Sequence, residues 1–391
     1  MIIFPKIYIY LGNVTSKNMI SRELEETILA RTGKGKAIIL LGPRQTGKTT
    51  LMSKIASKLG DYLLLDCDDS FTRMQLETGN TEDLRRIIGR NKIIFIDEAQ
   101  RVNNIGLVLK IIIDRFRNVQ VLVTGSSSLD LLSEINEPLT GRKWEYLLFP
   151  VSWSEFYGHA GHLEAVKQLE TRIVFGMYPD VINNPGDEKE TLRGLTGSLM
   201  YKDILSYSGI RKPDLPENLL RALAFQTGNE VSYNELASLL QVDKKTVMTY
   251  LDLLEKVFLV FRLQPFSRNL RNEIVSSRKI YFYDNGIRNA LIGNFNHPGM
   301  RQDTGALWEN FLISERIKKL HYSGIWANSY FWRTTGQQEI DYIEDHEGKL
   351  SAFEFKWKAD REPRYPALFL RTYPDSSVKC ISQSNFLEFV L

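Results

Sequence analysis

Five consecutive apolar residues, Ala37 to Leu41, run directly into Gly42-Pro43-Arg44-Gln45-Thr46-Gly47-Lys48-Thr49. A buried strand followed by the pattern G-x-x-x-x-G-K-[ST] allows few architectures. With average residue usage the pattern arises by chance in only about one chain of this length in a hundred. Strand, glycine turn and helix start together aim backbone N–H groups and a positive helix end at an anion, here the β- and γ-phosphates of a nucleoside triphosphate. Gly42 and Gly47 allow backbone angles and a phosphate approach that a Cβ would block. Lys48 reaches the β/γ oxygens, Thr49 offers its hydroxyl to Mg²⁺, and Thr50 begins the buried helix.

A second apolar run, Lys92-Ile93-Ile94-Phe95-Ile96, ends in Asp97-Glu98. Such a run suits a strand buried on both faces of a parallel sheet, with Asp97 at the carboxyl end where ligands bind. This is a Walker B pattern. Asp97 is expected to hold Mg²⁺ and Glu98 to act as general base on the attacking water. A third run, Val119 to Val123, leads into Thr124-Gly125-Ser126-Ser127-Ser128. Ser126 is the favoured γ-phosphate sensor, and helix capping is the other use of these serines. In Leu139-Thr140-Gly141-Arg142-Lys143 the always-charged guanidinium of Arg142 suits γ-phosphate charge, with a plain surface role as the alternative.

Strand candidates at 37–41, 62–65, 92–96 and 119–123 alternate with helical stretches. The alternation predicts a mostly parallel sheet in a doubly wound α/β domain over 1–150. Residues 151–216 are helical and aromatic, broken by Pro179, Pro185, Pro213 and Pro216, and read as a helical lid or connector. Residues 217–295 have another grammar. Ser232 caps a helix 233–240, a turn at 241–243 leads to a helix 244–258, and strands 259–263 and 278–283 flank a loop carrying Arg268 and Arg271. Two short helices and a strand pair predict a winged helix. Lys244 and Lys245 oppose the helix dipole at the second helix's N-terminus, a cost that a DNA phosphate would remove; an internal, protein-binding winged helix with ordinary surface lysines is the alternative.

The last segment, 296–391, holds a second constellation. Glu309 lies on an amphipathic helix, Asp341 in Glu339-Ile340-Asp341-Tyr342-Ile343, and Glu354 and Lys356 in a strand where Phe353, Phe355 and Trp357 alternate with charge. An E-x-K triplet alone says little, because average composition predicts about one per chain this long. Register says more. If strands 339–343 and 350–357 form a hairpin turning at Glu347-Gly348, Asp341 faces Glu354 with Cβ atoms about 5 Å apart, an unfavourable pairing that a divalent metal resolves. Glu309 then adds an outer carboxylate, and Lys356 positions water or neutralises a phosphate. Without a metal, the same register predicts a Glu339–Lys356 salt bridge on a polar face.

The chain has 391 residues and a net charge of +3, so no whole-protein field argues for nucleic acid and any such contact must be local. Cys67 and Cys380 are too few for a disulfide framework or a zinc cluster, which suits a reducing cytoplasm. The stretch Met1 to Leu11 is apolar but interrupted by Pro5 and Lys6 and too short to span a bilayer, so membrane insertion is not expected.

GPRQTGKTT, IIFIDEAQ, VLVTGSSS, LTGR followed by FPVSWSEF, and the terminal ALWENF, WRTTGQQEIDYI and FEFKWK come in an order that resembles a family of prokaryotic AAA-type ATPases. Its members join that ATPase to a C-terminal domain of formerly unknown function. The resemblance covers most of the chain and implies an AAA+ module, a winged helix and a terminal domain similar to the restriction-endonuclease-like PD-(D/E)xK fold. It implies ATP with Mg²⁺, Lys48 and Thr49 in the Walker A, Asp97 and Glu98 in the Walker B, Ser126 as sensor and Arg142 as finger. It also implies Glu309, Asp341, Glu354 and Lys356 in a nuclease-like core. Asp341 is not preceded by proline, and no second sensor arginine can be placed in the lid. Oligomeric state, a homo-oligomer included, stays open.

Overall fold

The computed structural model describes residues 19–125, 135, 137–199, 204, 212–267, 278–334, 336–358 and 365–391. Among them, strands β1 (Ala37–Leu41), β2 (Leu63–Asp66), β3 (Ile93–Asp97), β4 (Gln120–Gly125) and β5 (Lys143–Leu147) form one sheet in the order β2-β3-β4-β1-β5. Every pairing in it is parallel. Alternate side chains of the central strands serve opposite layers. Ile39, Ile94, Ile96, Val121 and Val123 pack with helices Thr81–Ile88 and Ile105–Arg115, while Ile38, Leu40, Phe95 and Leu122 pack with Leu51, Met52 and Ile55 of helix Lys48–Leu59. Both faces are therefore covered, which is why β1, β3 and β4 read as unbroken apolar runs. β5 escaped the sequence reading because this edge strand alternates charged and aromatic residues and is only partly buried.

The second sheet has seven strands: β6 (Glu230–Val231), β7 (Val260–Pro265), β8 (Arg278–Phe282), β9 (Asn328–Arg333), β10 (Glu339–His346), β11 (Lys349–Phe355) and β12 (Ser377–Ile381). Their order is β12-β11-β10-β9-β7-β8-β6, and the sheet is mixed, with β7–β9 and β11–β12 parallel and the other pairs antiparallel. Gln264 pairs with Tyr330 and Pro265 with Phe331, so segments on either side of the 295/296 boundary share one hydrogen-bonded sheet. Helices Leu215–Phe225, Tyr233–Leu239 and Lys244–Lys256 pack beside β6, β7 and β8. Ser232 and Asp243 accept the N–H groups of Glu235 and Thr246 and cap the last two helices.

Helix Thr304–Tyr322 covers one face of the second sheet, burying Leu307, Trp308, Phe311 and Leu312 against Phe261, Tyr281, Phe331 and Tyr342. Trp332, Ile340, Ile343, Ala352 and Phe369 form a smaller core on the other face. The stretch read as a lid splits between cores. Trp153, Phe156 and Ile173 join the Trp308 core, whereas Leu192 and Leu195 pack with the helices around β6. Among the described residues no helix is long and apolar enough to cross a membrane.

Candidate nucleotide site and carboxylate cluster

Residues 42–47 form the turn between β1 and helix Lys48–Leu59. Gly42 has φ 149°, and a Cβ there would lie 2.1 Å from the Leu148 carbonyl oxygen, so the close passage of the turn past β5 requires glycine. Gly47 has φ 90° and Gln45 a left-handed φ of 63°. Thr46 closes the turn by donating its hydroxyl to the Pro43 carbonyl at 2.9 Å. Lys48 is buried and donates to the carbonyls of Gly42 (2.9 Å) and Pro43 (2.8 Å), which hold its ammonium inside the loop. Thr50 sits in the first turn of the helix that follows.

Across the sheet, Asp97 ends β3 and stands beside Thr49, whose hydroxyl donates to the carboxylate at 3.0 and 3.1 Å. Burial raises the pKa of Asp97, and negative charge on Glu98 and Asp66 adds to the rise against hydrogen bonds from Thr124 and Thr49. Glu98 is left-handed with φ 52°, the kind of backbone strain that clusters at functional sites. Its carboxylate accepts from Gln100 at 2.6 Å and lies 3.9 Å from the Arg44 guanidinium.

Ser126, the expected sensor, lies outside the described residues. Thr124, two positions earlier on β4, is fully buried, donates its hydroxyl to Asp97 Oδ1 and accepts the Glu98 N–H at 3.3 Å. The hydroxyl run pointed to this strand end. Arg142 is not brought to the site. Its carbonyl accepts the N–H of Ala37, which begins β1, so it sits at the amino end of the sheet, about 17 Å along β1 from the turn. Its guanidinium pairs with Asp114 at 2.8 Å at the surface.

Arg22 was missed altogether. It is buried and donates Nη1 to the Thr46 carbonyl (2.6 Å), Nη2 to the Phe149 carbonyl (2.7 Å) and Nε to Glu155 (3.0 Å). Tyr322, at the end of the long helix, lies 3.5 Å from Nη2 and accepts the Phe149 N–H at 3.0 Å. One guanidinium thus touches the phosphate loop, helix Trp153–Ala160 and helix Thr304–Tyr322. No local pattern announces it, because its partners lie far away in the chain.

In the second sheet the hairpin register matches the expected one: Tyr342 faces Phe353 and Ile343 faces Ala352, which makes Asp341 and Glu354 the next opposed pair. A bulge between Ile340 and Ile343 against β9 reorients the strand at Asp341. The expected three-carboxylate metal set is not arranged to hold an ion. Glu309 instead accepts from Lys279 at 3.1 Å and from the Tyr281 hydroxyl at 2.5 Å, and Asp341 Oδ2 accepts the Phe355 N–H at 2.8 Å. Among the described residues no group of three or more His, Cys, Asp or Glu could hold a metal ion. Lys356 pairs with Glu354 at 2.7 Å, whereas Glu339 pairs with Lys279 at 2.5 Å, so the expected Glu339–Lys356 bridge is replaced by two others. Burial pushes Glu309 up to about 7 despite Lys279, and burial with mutual repulsion raises Glu354. Lys244 and Lys245 are exposed; Arg268 and Arg271 lie outside the described residues.

Residues 34–157 match the family model described as AAA domain. The N-terminal sheet is an AAA-type P-loop domain. Residues 166–297 and 304–385 match two domains of unknown function, DUF8612 and DUF4143. An uncharacterized protein of Mycobacterium tuberculosis is 28% identical over 330 residues, covering 83% of this chain and 70% of its own length. An uncharacterized protein of Methanocaldococcus jannaschii is 24% identical over 367 residues, covering 88% and 79%. Among solved structures, the Walker-type ATPase of Pyrococcus abyssi is similar with a TM-score of 0.51 at 17% identity, covering 71% of this chain and 97% of that one. At that identity the likeness concerns fold.

Proposed function

We propose that this chain hydrolyses ATP and uses nucleotide state to reset its C-terminal half. The reading is carried by the meeting of Lys48, Thr49, Asp97, Thr124 and Glu98 at the carboxyl edge of one parallel sheet. Lys48 supplies the charge for the β- and γ-phosphates, and the backbone of Gly42 to Gly47 wraps them. Thr49 and Asp97 suit Mg²⁺, because they set two hard oxygen donors side by side and Asp97 is short of positive charge. When bound, Mg²⁺ would neutralise developing phosphate charge. Glu98 is the general base. Thr124 orients Asp97 and holds the Glu98 backbone.

The partner that the C-terminal half fits best is DNA. Three helices and the antiparallel set β6-β8-β7 support a winged-helix reading, with exposed Lys244 and Lys245 at a helix start as the phosphate contacts. For the terminal sheet, the engagement of Glu309 by Lys279 and Tyr281 favours a scaffold related to the nuclease fold over an active nuclease.

The test is ATP turnover by wild type, Lys48→Ala and Glu98→Gln, with DNA binding read by fluorescence anisotropy with and without ATP. Turnover lost in both variants, and DNA affinity that changes with ATP only in proteins able to bind it, is the expected result. DNA binding indifferent to Lys244→Ala and Lys245→Ala would instead place the switch in a protein-binding role. Turnover unchanged in Lys48→Ala would sink the ATPase reading.

A further inference from the structure

The buried lysine in the carboxylate cluster comes from outside the terminal segment. Lys279 lies on β8, paired on one side with Glu230 of β6 and on the other with Leu263 of β7, and is 1% exposed. Its ammonium lies 3.1 Å from Glu309 and 2.5 Å from Glu339, with the Phe331 ring 5.5 Å away. Tyr281, two residues along the same strand and so on the same face, donates to the Glu309 oxygen that Lys279 also contacts. Asp341 feels the Lys279 charge, and Arg333 approaches Glu339 at 3.8 Å.

We propose that Lys279 is the resident cation of this cluster: its ammonium stands where a divalent metal would have to neutralise Glu309, Glu339 and Asp341. The cluster is then a metal-independent electrostatic joint between the two parts of the seven-stranded sheet. This deepens the scaffold reading of the terminal sheet and does not depend on ATP hydrolysis. A protonated lysine has no lone pair for a metal, and a doubly charged ion entering beside it would meet both repulsion and desolvation. Nor can Lys279 easily withdraw, because its backbone is paired on both sides in the sheet. Among the described residues of this cluster, Glu354 Oε2 is buried without a hydrogen-bond partner, so a metal entering here would register on Glu354.

The full chain, without nucleotide, would be titrated with Mn²⁺ by water-proton relaxation and by thermal melting, in a Lys48→Ala background as well as in wild type. We expect no Mn²⁺ site in wild type that Asp341→Asn with Glu354→Gln removes, and no Mn²⁺ effect on melting. Lys279→Met should melt at a lower temperature, recover with Mn²⁺, and lose that recovery when Asp341→Asn is added. Lys279→Arg should melt near wild type and ignore Mn²⁺. A wild-type Mn²⁺ site removed by Asp341→Asn with Glu354→Gln would overturn the proposal, as would Mn²⁺-dependent DNA cleavage abolished by Lys356→Ala. A Lys279→Met protein as stable as wild type would do the same. If Lys279→Met does not fold, the wild-type titration and cleavage measurements still decide.

Discussion

Arg22 donates to the Thr46 carbonyl at 2.6 Å, placing a buried charge directly behind the phosphate-binding turn. It also donates to the Phe149 carbonyl, and its contacts with Glu155 and Tyr322 belong to the helices that cap the second sheet. On the proposed reading, a shift of the turn with nucleotide state would have a hydrogen-bonded route through Arg22 into the C-terminal half.

Arg22→Ala should cost about 3–5 kcal/mol, because it strands the buried Glu155 carboxylate without its counter-ion. Urea denaturation measures this. Hydrogen exchange supplies the functional readout: nucleotide should protect helix Trp153–Ala160 in wild type and not in the variant. A loss below about 1 kcal/mol, the scale of an exposed pair, would mean that Arg22 is dispensable.

Thr124→Val keeps the shape of β4 but removes the hydroxyl that bonds Asp97 and receives the Glu98 N–H. ATP turnover should fall about tenfold to a hundredfold, the scale of losing one positioned polar contact at a charge-bearing site, with little change in nucleotide affinity. Steady-state kinetics beside a fluorescent-nucleotide titration separates the two quantities. A weaker affinity at unchanged turnover would assign Thr124 to binding.

Arg142→Ala should leave ATP turnover at high dilution unchanged within about twofold, since only an exposed pair with Asp114 is lost, worth under about 1 kcal/mol. A large drop under those conditions would contradict the placement of Arg142 at the far end of β1.

Asp303 offers a pH test. Burial opposes its ionisation, but hydrogen bonds from Arg301 at 2.8 Å and Arg288 at 2.5 Å prevail and hold it well below the ordinary carboxylate range. A depressed folded-state pKa contributes stability that is present above the unfolded value of about 3.9 and lost as pH falls through the folded one. Asp303→Asn should therefore be less stable than wild type at neutral pH, with the gap narrowing below about pH 4. Urea midpoints across that range measure the gap, and a gap independent of pH would remove the ion pair as its cause.

Much of the nucleotide site could be read along the chain because its parts are local. The turn at 42–49 is contiguous, and the acids at 97 and 98 follow an apolar run whose only stable home is a sheet covered on both faces. The hairpin register at Asp341 and Glu354 was equally readable, since antiparallel pairing follows from the turn at Glu347-Gly348. What escaped were residues whose role depends on distant partners: Arg22, Thr124 and Lys279. β5 escaped as well, because an edge strand need not be apolar.

The order of residues alone determined the P-loop, the strand-and-helix alternation of the first domain and the opposed carboxylates of the hairpin, since each follows from near-neighbour geometry and hydrophobic period. Tertiary structure alone decided that β7 pairs with β9 and so brings Lys279 in front of Glu309, and that β1 holds Arg142 and the phosphate turn at opposite ends. The physical reason is the same in both cases. Electrostatic and hydrogen-bond partners act through space, and only the completed packing sets the distances between charges far apart in the chain.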